Sequence, residues 1–331
     1  MKALIIGGLG FIGHHVALKL KQEGHEVYVV DAIINYLPTN FKTWNYYIQY
    51  RQRELESAGV HIIIENIKNS SLNKTIHTVS PDWVINLASM PVALLADLNP
   101  SHAKNDIFDS NFNLLEVLKS SISSLKRYVY FSSSMVYGHF LRDASGQIIP
   151  ADEEQKCLPI DTYGAFKAAN ELLIQQYGYR YNLPYTIIRP SAVYGPTDCN
   201  MRVTELFLKK AFKGETIELD NGGQHELDFT YIDDLTQGVF LALTNENAIN
   251  EVFNITYGNG NKISKLAEIV KKYFPDVKIR NNECKPYRPN RGALNITKAQ
   301  QLLGYSPKYD LEQGMEQYIQ FMKKHINAIE S

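Results

Sequence analysis

The sequence predicts an α/β fold built on a doubly wound parallel sheet. Three observations carry that expectation. A short apolar run, Leu4 to Ile6, leads straight into Gly7-Gly8-Leu9-Gly10-Phe11-Ile12-Gly13. A second run, His25 to Val30, ends on an acid, Asp31. Further strand-like runs then alternate with helical stretches, the pattern of a parallel sheet covered on both faces.

Taken in order, Leu4 to Ile6 is the first strand, buried and short. An amphipathic stretch follows the glycines to about Glu23, where Gly24 stops it, and His25 to Val30 is the second strand. The result is a β-α-β unit of about thirty residues. Its glycines have a G-x-x-G-x-x-G spacing. Gly7 allows a tight exit from the strand, Gly10 lets backbone amides approach a pyrophosphate, and Gly13 lets the helix pack on the sheet. Phe11 and Ile12 open that helix and belong to the same cofactor-binding turn. Asp31 can accept bonds from ribose hydroxyls and would repel a 2′-phosphate, so the expected cofactor is NAD rather than NADP.

Val60 to Glu65, Asp82 to Leu87, Arg127 to Ser132 and Tyr185 to Arg189 read as the next four strands, with helices such as Asn111 to Ser121 and Thr162 to Tyr181 between them. Asn35 to Gly59 stands out. It is long and aromatic (Tyr36, Phe41, Trp44, Tyr46, Tyr47, Tyr50) and is expected to carry an extra helix. A lid or partner surface and simple core packing are both open for it.

Composition narrows the function. A chain of 331 residues suits one large or two modest domains. A formal charge of -1 argues against a nucleic-acid or membrane surface, and no apolar run is long enough to span a bilayer. The N-terminus opens directly into a strand, without a cleavable leader. Three widely spaced cysteines, Cys157, Cys199 and Cys284, suggest neither a disulfide framework nor a metal site. The expected compartment is the reducing cytoplasm.

Tyr163 and Lys167 lie four residues apart in the stretch read as a helix and so share a face. A free phenol, with a pKa of about 10, is too protonated to act as a base at neutral pH. A cation close by would favour the phenolate and bring it toward the working range.

Several ordered motifs now converge. The chain resembles the extended short-chain dehydrogenase/reductase family, and within it the NAD-dependent epimerase/dehydratase enzymes acting on nucleotide sugars. The resemblance covers almost the whole chain and rests on the glycine turn, Asp31, Asn86-Leu87-Ala88-Ser89, Phe131-Ser132-Ser133-Ser134-Met135-Val136-Tyr137-Gly138 and Tyr163 with Lys167. It continues through Arg189-Pro190-Ser191-Ala192-Val193-Tyr194-Gly195-Pro196 and Asp228-Phe229-Thr230-Tyr231-Ile232-Asp233-Asp234. Arg288-Pro289-Asn290-Arg291-Gly292 and Leu303-Gly304-Tyr305-Ser306-Pro307 also fit.

The resemblance implies a Rossmann-type sheet and roles for matched positions. Ser133, Tyr163 and Lys167 would be catalytic. Ser133 would hydrogen-bond the reacting hydroxyl and Tyr163, and Lys167 would hold the nicotinamide ribose and depress the Tyr163 pKa. Leu87, Ala88 and Ser89 would line the pyrophosphate and ribose path, and Asn66 and Ile67 would contact adenine. Ser134 and Ala192 fall at sugar-binding positions.

The implied chemistry is proton removal from a sugar hydroxyl, at C4, and hydride transfer from that carbon. An epimerase then returns the hydride to the other face of a 4-keto sugar. A dehydratase needs an acid and a base beside the catalytic Ser. Here Ser134 and Met135 stand there, and a Met cannot move a proton. Epimerisation of a UDP-hexose or UDP-hexuronate is therefore the leading expectation. A nucleotide-sugar dehydrogenase or reductase, an atypical dehydratase and a non-catalytic NAD-binding protein are the alternatives. Glu226 and Leu227 stand where relatives place a diphosphate-binding Arg, so Arg202, Arg288 and Arg291 become the candidates for that charge.

The resemblance also implies a smaller C-terminal α/β substrate domain, about 196–223 plus 252–331. Residues 1–195 with about 224–251 would form the NAD-binding domain. A homodimer through the helices near Asn111 to Ser121 and Thr162 to Tyr181 is the family habit.

Overall fold

A computed structural model describes residues 1–37, 41–283 and 289–330. Arg288 and Cys284 lie outside the described residues.

The first half alternates strand and helix: β1 (Lys2–Ile6), α1 (Phe11–Gln22), β2 (Glu26–Asp31), α2 (Phe41–Ser57), β3 (His61–Ile64), α3 (Leu72–Val79) and β4 (Trp83–Asn86). Two short helices follow, α4 (Ala93–Leu98) and α5 (Pro100–Ala103), then a π-helical stretch, Lys104–Asp109, that runs into α6 (Ser110–Leu118). Next come β5 (Arg127–Phe131), a 3₁₀ turn (Ser134–Tyr137), α7 (Thr162–Tyr181), β6 (Tyr185–Arg189), β7 (Ala192–Tyr194) and α8 (Val203–Phe212). The remainder is β8 (Ile217–Asp220), β9 (Glu226–Tyr231), α9 (Ile232–Thr244), β10 (Glu251–Asn254), β11 (Gly260–Lys262), α10 (Ile263–Tyr273), β12 (Ile279–Asn282), α11 (Thr297–Leu303) and α12 (Leu311–Glu330).

Seven strands form the main sheet in the order β10-β6-β5-β4-β1-β2-β3, and every neighbouring pair is parallel. Side chains alternate across it as a pleated strand requires. Ala3 and Ile5 of β1 face the core beneath α1 and α9, while Leu4 and Ile6 face the core beneath α3, α6 and α7. Burial on both faces explains why these strands read as unbroken apolar runs. The chain order reverses between β1 and β4, and this opens a crevice at the carboxyl ends of the strands.

β7, β9 and β11 form a second, small sheet, and β8 pairs in parallel with β12 in a third. One buried cluster runs from the α1/α9 face of the main sheet into α8, α10 and α12. β10 pairs with β6 from Glu251 to Asn254, so these residues belong to the main sheet.

The aromatic segment is a helix packed into the core. Tyr47 and Leu55 of α2 are fully buried, and Tyr50 and Tyr46 meet Phe321 and His325 of α12. Thr43 donates to Ile329 O at 2.9 Å. Phe41 is the exposed exception.

Candidate functional site

The cavity opens where β1, β2, β4, β5 and β6 end. Gly7, at φ 80°, takes a conformation that disfavours other residues, and a Cβ there would lie 2.8 Å from Ala88 N. A Cβ on Gly13 would lie 2.3 Å from Gly7 O. No side chain caps the first turn of α1. An uncapped helix start behind a turn too tight for side chains is a place for a diphosphate. Asp31 completes it. Its Oδ2 accepts from Leu9 N at 2.9 Å and its Oδ1 from Ile33 N at 2.8 Å. Burial pushes the carboxyl up, and the Ile33 and Leu9 N–H bonds pull against that shift. Each oxygen keeps lone pairs for ribose hydroxyls. The chain's own groups therefore fit a dinucleotide with a free 2′-hydroxyl.

Along the same wall stand Gly10, Phe11, Ile12, Asn66, Ile67, Leu87, Ala88 and Ser89. Asn66 Oδ1 already accepts from Lys68 N at 3.0 Å, which shapes the turn after β3. Asn86 also has a physical role. Its Oδ1 accepts from Ala88 N at 3.2 Å, and its Nδ2 donates to Asn111 Oδ1 and the Tyr128 hydroxyl. It anchors the backbone that borders the cavity.

Ser133, Tyr163 and Lys167 all line the cavity. Tyr163 sits in the first turn of α7, whose N-cap Asp161 accepts from Gly164 N at 2.7 Å. A Cβ on Gly164 would lie 2.7 Å from Met135 O, so α7 can approach the Ser134–Tyr137 turn only through a glycine. That contact brings Tyr163 next to Ser133. Lys167 is buried, and its Nζ donates to Phe131 O at 2.7 Å. One turn further, Glu171 bonds Ser132 and forms a buried ion pair with Arg189 Nη2 at 2.6 Å.

The electrostatics differ from the expectation that Lys167 depresses the Tyr163 pKa. Burial pushes the phenol up. The charge of Arg202 and the hydrogen bond from Ser133 pull it down, and Asp161 adds to the rise. Burial also lowers Lys167 to about 7, opposed by the charge of Glu171. Without another charge in the cavity, low polarity governs both groups.

The expected sugar-side residues divide. Arg202 lines the cavity and donates to Val193 O at 3.3 Å. Ser134 is buried behind the wall, its Oγ 3.5 Å from Ser191 Oγ. Ala192 lies in β7 and Arg291 donates to Met135 Sδ at 3.3 Å; neither belongs to the cavity wall. Residues that were not named as site candidates do reach it, among them Tyr36, Arg51, Ser110, Ser191 and Asn200. Ser191 sits inside a recognised motif and Tyr36 in the aromatic segment. The others carry no local signal, because packing alone turns them toward the crevice.

The family model described as NAD dependent epimerase/dehydratase family matches residues 3–256. The chain is 30% identical over 342 residues to UDP-glucuronate 4-epimerase 2 of Arabidopsis thaliana, which spans 97% of this chain and 75% of that one. Among solved structures it is similar to UDP-glucuronic acid 4-epimerase from Bacillus cereus in complex with UDP-glucuronic acid and NAD. That pair has 29% identity and a TM-score of 0.85 over 98% of this chain and 99% of the other. It is also similar to UDP-glucose 4-epimerase with UDP-glucose from Thermotoga maritima, at 25% identity and a TM-score of 0.86 over 98% of this chain and all of the other. The family match runs from β1 through the last strand of the main sheet, well over half of the sequence, and so the chain belongs to the NAD dependent epimerase/dehydratase family.

Proposed function

We propose that this protein is an NAD-dependent nucleotide-sugar epimerase that inverts C4 of a UDP-hexuronate or UDP-hexose. The observation that carries the reading is the meeting of Ser133, Tyr163 and Lys167 in the cavity that also holds the glycine turn and Asp31. The UDP-glucuronate 4-epimerases among its relatives favour the hexuronate.

The residues divide the work. Bound NAD supplies reversible hydride exchange and a positive charge within the cavity. Tyr163, as phenolate, takes the proton of the C4 hydroxyl and later returns it to the alkoxide of the inverted sugar. Ser133 orients that hydroxyl. Its Oγ accepts from Met135 N at 3.2 Å, which holds the side chain in place. The Lys167 ammonium, fixed on Phe131 O, offers its remaining donors to the ribose. Met135 occupies the position from which a dehydratase moves a proton, and its thioether cannot do so. The 4-keto sugar therefore keeps its C5 and C6 substituents.

Arg202, which lines the cavity, is the cation that this reading assigns to the sugar side, with Arg288 as the candidate diphosphate partner. Ser134 and Ala192 are not part of the cavity wall. Residues 1–195 with 224–254 form the cofactor-binding unit, and 196–223 with 255–331 form the sugar-binding unit. The reading includes a homodimer through α6 and α7, whose outer faces expose Phe112 and Leu172. Among the described residues no helix is long and apolar enough to cross a membrane. Cys157 and Cys199 are free, in keeping with the cytoplasm.

Proton NMR of the purified protein with catalytic NAD and a panel of UDP-, GDP-, CDP- and dTDP-sugars tests the reading. The expected result is a mixture of two C4 epimers from a UDP-sugar without net NADH. A keto or dehydrated product, or stoichiometric NADH, overturns it.

A further inference from the structure

The α2 helix brings to the cavity wall a charged residue, Arg51, that the chemistry above does not use. Arg51 is 2% exposed, and although Asp31 and Asp198 feel its charge, no carboxylate is hydrogen-bonded to it among the described residues. A buried guanidinium held by carbonyls persists where its hydrogen bonds are needed. Its two guanidinium ends face different structures. Nη1 donates to Leu9 O, within the glycine turn, at 2.9 Å. Nη2 donates to Thr197 O and to Cys199 Sγ, the latter at 3.2 Å. Nε has no partner among the described residues.

The segment held by Nη2 is the turn that carries Asn200 and Arg202 to the cavity. It is a strained turn. Thr197, a β-branched residue, has φ 68°, and Met201 has φ 54°. Such a turn keeps its shape only when its surroundings over-determine it. Other supports include the Tyr318 hydroxyl on Asp198 O at 3.1 Å, His15 Nε2 on Pro196 O at 3.0 Å and Met201 N on Glu205 Oε2 at 2.7 Å. His15 lies on α1, so a second strut also leads back to the glycine turn. Leu9 is gripped on the far side too, since its N–H bonds Asp31.

We propose that Arg51 is a positioning residue that couples the two halves of the site. By bridging Leu9 O to Thr197 O and Cys199 Sγ, it sets the 197–202 turn, and with it Asn200 and Arg202, according to how the glycine turn is held by a dinucleotide. The inference rests on the reading of the site as one for NAD and a nucleotide sugar. It adds that the two bind with positive linkage transmitted through α2. An Arg is suited to this because its planar fork spans two acceptors, whereas a Lys ammonium is a single point.

The test measures UDP binding calorimetrically to the NAD-free and the NAD-loaded protein. UDP is the probe because it lacks the sugar that reacts with the cofactor. The wild type is expected to bind UDP about tenfold more tightly when loaded, and to bind NAD more tightly with UDP by the same factor. In Arg51→Lys the ratio is expected to fall to about one while both ligands still bind. A merely structural role would lower the melting temperature and leave the ratio unchanged. A wild-type ratio of one, or a wild-type ratio retained in Arg51→Lys, overturns the proposal. Should Arg51→Lys not fold, Arg51→Gln, whose single amide reaches one side only, takes its place with the same expectation. Failure of the wild type to bind NAD or UDP at all would instead overturn the reading of the site.

Discussion

Lys167 Nζ stands 5.6 Å from the centroid of the Tyr163 ring and gives its hydrogen bond to Phe131 O. The two residues share a helix face, as their spacing requires, but the ammonium is held on the Phe131 carbonyl. Ser133 and Arg202 are the neighbours that pull the phenol down.

Replacing Tyr163 with Phe removes the proton acceptor and leaves the packing of α7 intact. Epimer interconversion followed by NMR is expected to fall about a hundredfold or more, with an unchanged melting temperature. Near-normal turnover would remove Tyr163 from the mechanism.

Lys167 links stability to pH. Burial lowers it to about 7 in the folded protein, while an unfolded Lys titrates near about 10.4. Between those values the unfolded chain binds more protons, so this group makes stability rise with pH; below about 7 both states are protonated and its contribution is flat. Thermal melts of NAD-free protein from pH about 7 to about 9 should show a rise that Lys167→Met flattens.

Asp31→Ala loses the acceptor for Leu9 N and Ile33 N together with the ribose partner. Cofactor titrations are expected to show weaker NAD binding and less discrimination against NADP. Titrations that match wild type for both cofactors would sink the assignment.

Gly13→Ala places a Cβ 2.3 Å from Gly7 O and 2.7 Å from Gly8 Cα, both backbone atoms that cannot move aside alone. A loss of about 1–3 kcal/mol in denaturant unfolding is expected, with loss of NAD binding.

Leu172 is 70% exposed on α7, and Phe112 is 45% exposed on α6. If these faces meet in a dimer, Leu172→Glu buries a charge in the interface and light scattering should report a monomer with an intact fold. A dimer that survives both Leu172→Glu and Phe112→Glu would place the interface elsewhere.

What the sequence by itself determined is local. The glycine triplet, the acid at the tip of β2 and the helix from Thr162 to Tyr181 were legible because backbone sterics and side-chain periodicity act over a few residues. Tertiary structure decided the rest. Glu251–Asn254 has no distinctive pattern and is a strand only because the β6 edge offers it partners. Arg51 reads as a polar residue in an aromatic helix, and its place beside Leu9 and Thr197 depends on how α2 is wedged against α12 and α1. Ser134 and Arg291 sit in good motifs and yet turn away from the cavity wall, while Asn200 turns toward it. The protonation of Tyr163 and Lys167 follows the same rule. Spacing put them on one face, but burial and charges brought from distant segments set their pKa values, because desolvation depends on everything packed around a group and not on its neighbours in sequence.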